Sequence, residues 1–177
     1  MFLEPHLRKI SEAFLGEKPT MRDIHGDLWG FADYGFADVV VITTNGSINR
    51  HEQAVMGRGC AKEAADRFPD VREKLALLIR RHGNRPFIIR RHCLPSNFTL
   101  VSMPVKHQYF ERADPALIVD SAQKLVEMAD NHGWQSIVLP RAGCGNGHLK
   151  WEGVKPLLAD ILDDRFTCVT FDPVRDD

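Results

Sequence analysis

Val39, Val40, Val41 and Ile42 stand in succession inside the run from Ala37 to Thr43. A strand with one wet face alternates apolar and polar residues, so an unbroken β-branched run has to be covered on both faces. A sheet held between two layers of helices meets that condition, and the chain must then supply those helices. Cys60 to Phe68 is alanine-rich and helical up to Pro69, which disfavours helix in the residue before it. Asp70 is the expected N-cap of a second helix, with Val71, Leu75, Leu78 and Ile79 inward and Gly83 closing it. Asp114-Pro115 supplies a cap and an N1 proline for a third, whose Leu117, Ile118, Leu125, Val126 and Ala129 share one face up to Gly133. A fourth runs from Trp151 to Leu162, with Pro156 expected within about its first turn, where free N–H groups tolerate it. Leu7, Ile10, Phe14 and Leu15 have helical spacing ahead of Gly16 and Pro19, which predicts a short amphipathic helix at the start.

Between these lie further strand segments: Met21 to His25, Pro86 to Leu94, Phe98 to Met103, Ser136 to Pro140 and Arg165 to Phe171. Strands interleaved with helices imply an α/β fold with a central mixed sheet and helices on both faces. No linker, repeat or low-complexity segment divides the chain, so one domain is expected from its 177 residues. Hydrophobic residues make up 44% and charged residues 27%, which excludes a disordered chain. The net charge of -1 argues against sequence-independent binding to nucleic-acid backbones, which needs a basic surface. Arg80, Arg81, Arg90 and Arg91 are read as a solvated face. Cys60, Cys93, Cys144 and Cys168 are widely spaced with no C-x-x-C pair, so reduced thiols are expected, without a zinc or other metal site. No apolar stretch approaches the roughly 20 residues of a membrane span, and the start lacks a signal-peptide core. A cytoplasmic protein with no membrane partner is the expectation.

Two loops carry the chemical information, each following a buried strand. One holds Gly57 and Gly59 just before a helix; the other holds Gly143, Gly145 and Gly147. Ligands of α/β sheets bind beyond the carboxyl ends of the strands, and glycine lets backbone N–H groups close on a diphosphate. Two such loops can grip one diphosphate from opposite sides, although either alone could simply make a turn. No G-x-x-x-x-G-K-[ST] occurs, so an ATPase P-loop is excluded. Gly57-Arg58-Gly59-Cys60-Ala61-Lys62 ends in lysine where the dinucleotide fingerprint has glycine or alanine.

Four segments in order resemble a macrodomain, the family that processes ADP-ribose 1″-phosphate and related compounds. They are Gly26-Asp27-Leu28; Thr44-Asn45-Gly46 leading to Val55-Met56-Gly57-Arg58-Gly59-Cys60-Ala61; Met103-Pro104-Val105-Lys106-His107; and Leu139-Pro140-Arg141-Ala142-Gly143-Cys144-Gly145-Asn146-Gly147-His148-Leu149-Lys150-Trp151. The resemblance implies a three-layer α/β/α macrodomain over residues 21–177, with residues 1–20 as a helical extension. It also implies ADP-ribose, free or attached to DNA or protein, as the ligand, and no cofactor. Asp27, with Leu28 beside it, matches the family's acidic residue that accepts a hydrogen bond from the adenine amino group; it could instead cap a turn. Asn45, Val55 and Gly57 to Ala61 match the loop around the distal ribose and diphosphate, and Gly143, Cys144, Gly145, Asn146 and Gly147 match the second phosphate loop. Phe171 is placed like the aromatic that stacks on adenine, or is a core aromatic.

The loops are most similar to the branch containing the terminal ADP-ribose protein glycohydrolase and the antitoxin DarG, which removes ADP-ribose from DNA. Lys106 sits at the matching place for that branch's lysine, where it would act as nucleophile or electrostatic stabiliser, or simply face a phosphate or solvent. His107 could shuttle a proton or be a structural neighbour. The glycohydrolase has an aspartate where this chain has Gly147, and Lys150 replaces a common acid, so the lysine-plus-aspartate mechanism does not transfer whole. Three functional readings stand at this point: an ADP-ribosyl hydrolase acting through Lys106, a non-catalytic reader, and a phosphatase on ADP-ribose 1″-phosphate. A partner-docking domain with no ligand is the reading from a different class.

Overall fold

A computed structural model describes Gly16 and residues 18–171. Six strands form one sheet: β1 (Arg22–His25), β2 (Val39–Asn45), β3 (Phe87–Cys93), β4 (Phe98–Lys106), β5 (Ile137–Pro140) and β6 (Phe166–Thr170), in the order β1-β6-β5-β2-β4-β3. All neighbours run parallel except β3, which lies antiparallel to β4 at the edge. The described helices are α1 (Leu28–Asp33), α2 (Gly59–Arg67), α3 (Val71–His82), α4 (Pro115–His132) and α5 (Trp151–Ala159).

The β-branched run determines the layering. Val39 and Val41 point into a core shared with Ile118, Leu125 and Leu158 of α4 and α5. Val40 and Ile42 point into the opposite core, with Leu28, Ala64 and Leu75 of α1, α2 and α3. All four are fully buried, each contributing about 1.5–3 kcal/mol by removal from water. The result is the expected α/β/α sandwich around a mixed sheet.

Local differences have identifiable causes. α1 was not expected: six residues with Gly30 inside give little periodic signal, and the helix depends on the Asp27 carboxylate accepting from Trp29 N at 3.1 Å. Asp70 does precede α3, but makes no capping bond; Arg90 and Lys74 hold its carboxylate at 2.8 and 2.6 Å. Leu78 and Ile79 of α3 are only partly buried. β4 continues three residues beyond Met103, to Lys106. Pro104 is tolerated there because β3 has no residue opposite it: Phe87, the first of β3, pairs with Ser102. Pro156 is the sixth residue of α5, in its second turn rather than its first, and the helix ends at Ala159 rather than Leu162.

Ahead of β1, Thr20 Oγ1 donates to Ala159 O and Met21 N to Leu162 O, each at 3.0 Å, which ties the start of the domain to the end of α5. The helix expected around Leu7 to Leu15 lies outside the described residues. No described helix is long and apolar enough to cross a membrane.

Candidate functional site

A cleft of about 640 Å³ opens at the carboxyl ends of β2, β4 and β5. Thr43, Thr44 and Asn45 end β2 there, Val105 and Lys106 end β4, and Arg141 and Gly143 follow β5. In a parallel sheet these ends collect the loops that leave toward the helices, so the topology itself gathers both glycine loops at one opening.

Asn45 braces the first loop. Its side-chain amide donates to Val55 O at 3.0 Å and accepts from Ser47 N at 2.9 Å. Arg58 occupies the cap position of α2 in extended conformation and makes no side-chain capping bond. The first N–H groups of α2 therefore depend on other partners, which suits an anion in the cleft. Gly59 turns the chain into that helix at φ +56°, a conformation that favours glycine. Cys60, beside it, has its Sγ 3.4 Å from Thr43 N, and burial pushes its thiol up.

The second loop folds on itself. Leu149 N donates to Gly143 O at 3.0 Å, and Ala113 N, ahead of α4, donates to Gly147 O at 3.0 Å. A β-carbon at position 147 would lie 2.7 Å from the Ala113 β-carbon and against the Gly143 carbonyl, so this position has no room for a side chain. A β-carbon at 145 would meet nothing within 4 Å. The two loops face each other closely: a β-carbon at Gly59 would be 3.5 Å from the Asn146 amide nitrogen.

Lys106 joins the strand end to the second loop. Its Nζ donates to Asn146 O at 2.6 Å and to Tyr109 O at 3.4 Å. An ammonium has three donors, so one remains for a ligand. Partial burial, and then the nearby Arg58 guanidinium, hold its pKa below the usual lysine range. His107, the other candidate for chemistry, does not line the cleft; its Nε2 bonds Asp114 Oδ2 at 2.8 Å, at the cap of α4.

Of the sequence-derived candidates, the cleft brings together Asn45, Val55, Gly57 to Ala61, Lys106, Gly143 and Gly145 to Gly147. Cys144 lies partly buried within the second loop but does not line the opening, and burial pushes its thiol to about 11. Asp27 lies in a separate shallow groove with Gly30, Phe31, Tyr34 and Phe36, while Leu28, the first residue of α1, is buried. Phe171 is highly exposed just past β6, and Gly26 N donates to Thr170 O at 2.9 Å, which sets the Asp27 and Phe171 segments side by side.

Sequence reasoning missed Tyr109, Phe110, Glu111 and Arg141 as lining residues. Arg141 is held by Asp23, at 3.2 and 3.3 Å, and lies 5.1 Å over the Trp151 ring. Its place within the second motif offered a signal; the Tyr109 loop gave none, because its position depends on Ser47 Oγ accepting from Tyr109 N at 2.9 Å. Among the described residues, no group of three or more His, Cys, Asp or Glu side chains is placed to hold a metal ion.

No family model matches the sequence, and no curated protein matches it. Solved structures do match the fold. The chain has the fold of a macrodomain, an α/β/α sandwich with its cleft at the strand ends. It superimposes on Thermosipho africanus DarTG in complex with ADP-ribose with a TM-score of 0.71 at 20% identity, over 88% of this chain and 42% of that one. The macrodomain of Thermus aquaticus DarG gives 0.69 at 23% identity, covering 86% of this chain and 98% of that one. The macrodomain of Mycobacterium tuberculosis DarG gives 0.69 at 20% identity, covering 86% and 99%. The chain thus spans less than half of the first protein and nearly all of the two isolated macrodomains.

Proposed function

We propose that this chain binds ADP-ribose and hydrolyses an ADP-ribosyl linkage through Lys106. The observation that carries the reading is the Lys106 ammonium, fixed to Asn146 O between two glycine loops that face each other across a cleft. The volume of about 640 Å³ falls within the range of roughly 300–1,000 Å³ typical of small-molecule sites. Backbone N–H groups of both loops and the start of α2 would hold the diphosphate, with Arg58 adding charge. The distal ribose would then reach Lys106, whose remaining donor can approach the bond to be cleaved. Asp27 and Phe171 would take the adenine at the other end.

The linked group is proposed to be DNA or protein. Tyr109 and Phe110, an exposed edge-to-face pair 5.3 Å apart on the rim beside Lys106, favour a flat attached group such as a nucleobase. All four cysteines are unpaired thiols, which supports a cytoplasmic setting.

Calorimetric titration with ADP-ribose, with AMP and NAD as comparisons, tests the binding half. Release of ADP-ribose from a base-modified single-stranded oligonucleotide and from an ester-modified protein tests the hydrolytic half. Binding selective for ADP-ribose, with release strongly reduced in Lys106→Met, is the expected result; absence of ADP-ribose binding would overturn the reading. A pure reader is favoured by one observation, that position 147 has no room for an acid, and is the conclusion if binding occurs without release.

A further inference from the structure

Resting on the hydrolytic reading, we propose that Glu111 is the carboxylate that activates water in this cleft. The charges lining the opening are unbalanced. Arg58 and Lys106 are cationic, Arg141 is already paired with Asp23 at 3.2 Å, and Glu111 is the one carboxylate among the described lining residues. These cations suit a diphosphate but oppose the reaction at the sugar. Cleavage of a glycosidic bond passes through a transition state with positive, oxocarbenium-like character at the anomeric carbon. A cleft with only cations beside that carbon would raise the barrier, so the site needs an anion near Lys106.

The second glycine loop cannot supply it. Its lining positions are Gly143, Gly145, Asn146, Gly147 and His148, and position 147 has no room for a β-carbon. Glu111 enters from the other side, on the loop that follows Lys106. That loop is braced at several points. Gly46 N donates to His107 O at 3.1 Å, Asn84 Nδ2 to Lys106 O at 2.9 Å, and Tyr109 N to Ser47 Oγ at 2.9 Å. Within it, Gln108 N donates to Glu111 Oε2 at 3.1 Å and Glu111 N to Gln108 O at 3.2 Å, which fixes the carboxylate on a short, closed turn. Lys106 Nζ donates to Tyr109 O in the same turn. The ammonium and the carboxylate are therefore carried by one rigid piece of backbone at the mouth of the cleft.

The step balances with water alone. Glu111 takes one proton from a water molecule as the water oxygen bonds the anomeric carbon. The bond from that carbon to the linked group breaks, its electron pair leaves with the linked group, and the Lys106 ammonium supplies the proton that group takes up. Proton return from Glu111 to Lys106 through solvent restores the site. Acid and base are thus separate residues, which is how groups of opposite protonation state serve one reaction.

The test compares Glu111→Gln, Glu111→Asp and Glu111→Ala with the native protein, using the base-modified oligonucleotide and the ester-modified protein as substrates. Glu111→Gln is expected to lower kcat by about 100-fold or more while KM and calorimetric ADP-ribose affinity stay unchanged, the scale of lost general-base catalysis. Glu111→Asp should retain intermediate activity. Added azide, a nucleophile that needs no base, should restore turnover to Glu111→Ala and yield the 1″-azido sugar. A native rate in Glu111→Gln, or parallel loss of ADP-ribose affinity, would overturn the role of Glu111 while leaving the hydrolytic reading intact. A native protein that binds ADP-ribose and releases none from either substrate would overturn both.

Discussion

The Lys106 ammonium donates to the main-chain oxygen of Asn146 at 2.6 Å, so the end of β4 and the second glycine loop share one charged hydrogen bond. A bond of this kind fixes the lysine where the sugar end of ADP-ribose is proposed to lie, and it fixes the loop as well. The charge can therefore act on the linkage without first being recruited from solvent, which is the condition for electrostatic catalysis.

Lys106→Met should separate binding from turnover. The side chain is partly buried, and methionine preserves its stem while removing the donor. ADP-ribose affinity is expected to stay within a few-fold, with release of the linked group falling by roughly 10²–10³-fold. Because burial and Arg58 hold the lysine below its usual range, the ammonium is lost at lower pH than an ordinary lysine would lose it. The rate of the native protein should then decline on the alkaline side before the usual lysine range. A rate profile flat through that range would show that the ammonium is not the reacting form.

Position 145 and position 147 should respond oppositely to a side chain. At 145 a β-carbon meets open space, so Gly145→Glu is expected to fold with a nearly native Tm and to lose ADP-ribose binding through bulk and like charge. At 147 even Gly147→Ala forces the loop off Ala113 and the Gly143 carbonyl, with an expected cost of about 1–3 kcal/mol. Thermal unfolding and calorimetry on both variants check the pair. Retained binding in Gly145→Glu would remove the second loop from the diphosphate.

The legible and illegible parts of this site differ by how local their causes are. The run Val39 to Ile42 showed a two-faced sheet because each side chain's fate depends on strand period alone. Gly57 and Gly59 were legible because they sit at the start of the alanine-rich helix that they open. Glu111 was invisible, since its place at the cleft depends on Ser47 and Asn84 holding the loop from 62 and 22 residues away. His107 misled for the same reason: adjacent to Lys106 in sequence, its ring goes to Asp114 instead of the cleft. Asp23 gave no sign either, although it gathers Arg141, Trp151 and Lys155 from across the fold.

Asp23 carries a testable share of stability. Burial would raise its carboxyl, but hydrogen bonds from Trp151, Lys155 and Arg141 outweigh burial and hold it below the usual aspartate range. A carboxyl depressed on folding adds stability that is fully present above its unfolded pKa and is lost as pH falls through its folded one. Asp23→Ala is therefore expected to cost about 1.5–3 kcal/mol at neutral pH, the range for a hydrogen bond to a charged group. The gap between variant and native protein should narrow as pH falls below the usual aspartate range. Denaturant unfolding at neutral and acid pH measures it, and a gap that stayed constant would show that packing rather than charge is lost.

Asp27 has two duties that one pair of substitutions can separate. Its carboxylate caps α1 by accepting from Trp29 N, and it lies in a groove with Phe31, Tyr34 and Phe36, on a segment alongside that of Phe171, where adenine is proposed to bind. Asparagine caps a helix about as well as aspartate, whereas alanine does not. Asp27→Asn should therefore keep native stability, and Asp27→Ala should lose about 0.5–2 kcal/mol. Both lose the charged acceptor for the adenine amino group, so both should weaken ADP-ribose and AMP, Asp27→Ala by about 1–3 kcal/mol. Ribose 5-phosphate, which has no base, should bind both variants as it binds the native protein. Equal weakening of ribose 5-phosphate would mean that Asp27 acts only through the position of α1, and unchanged AMP affinity would place the adenine elsewhere.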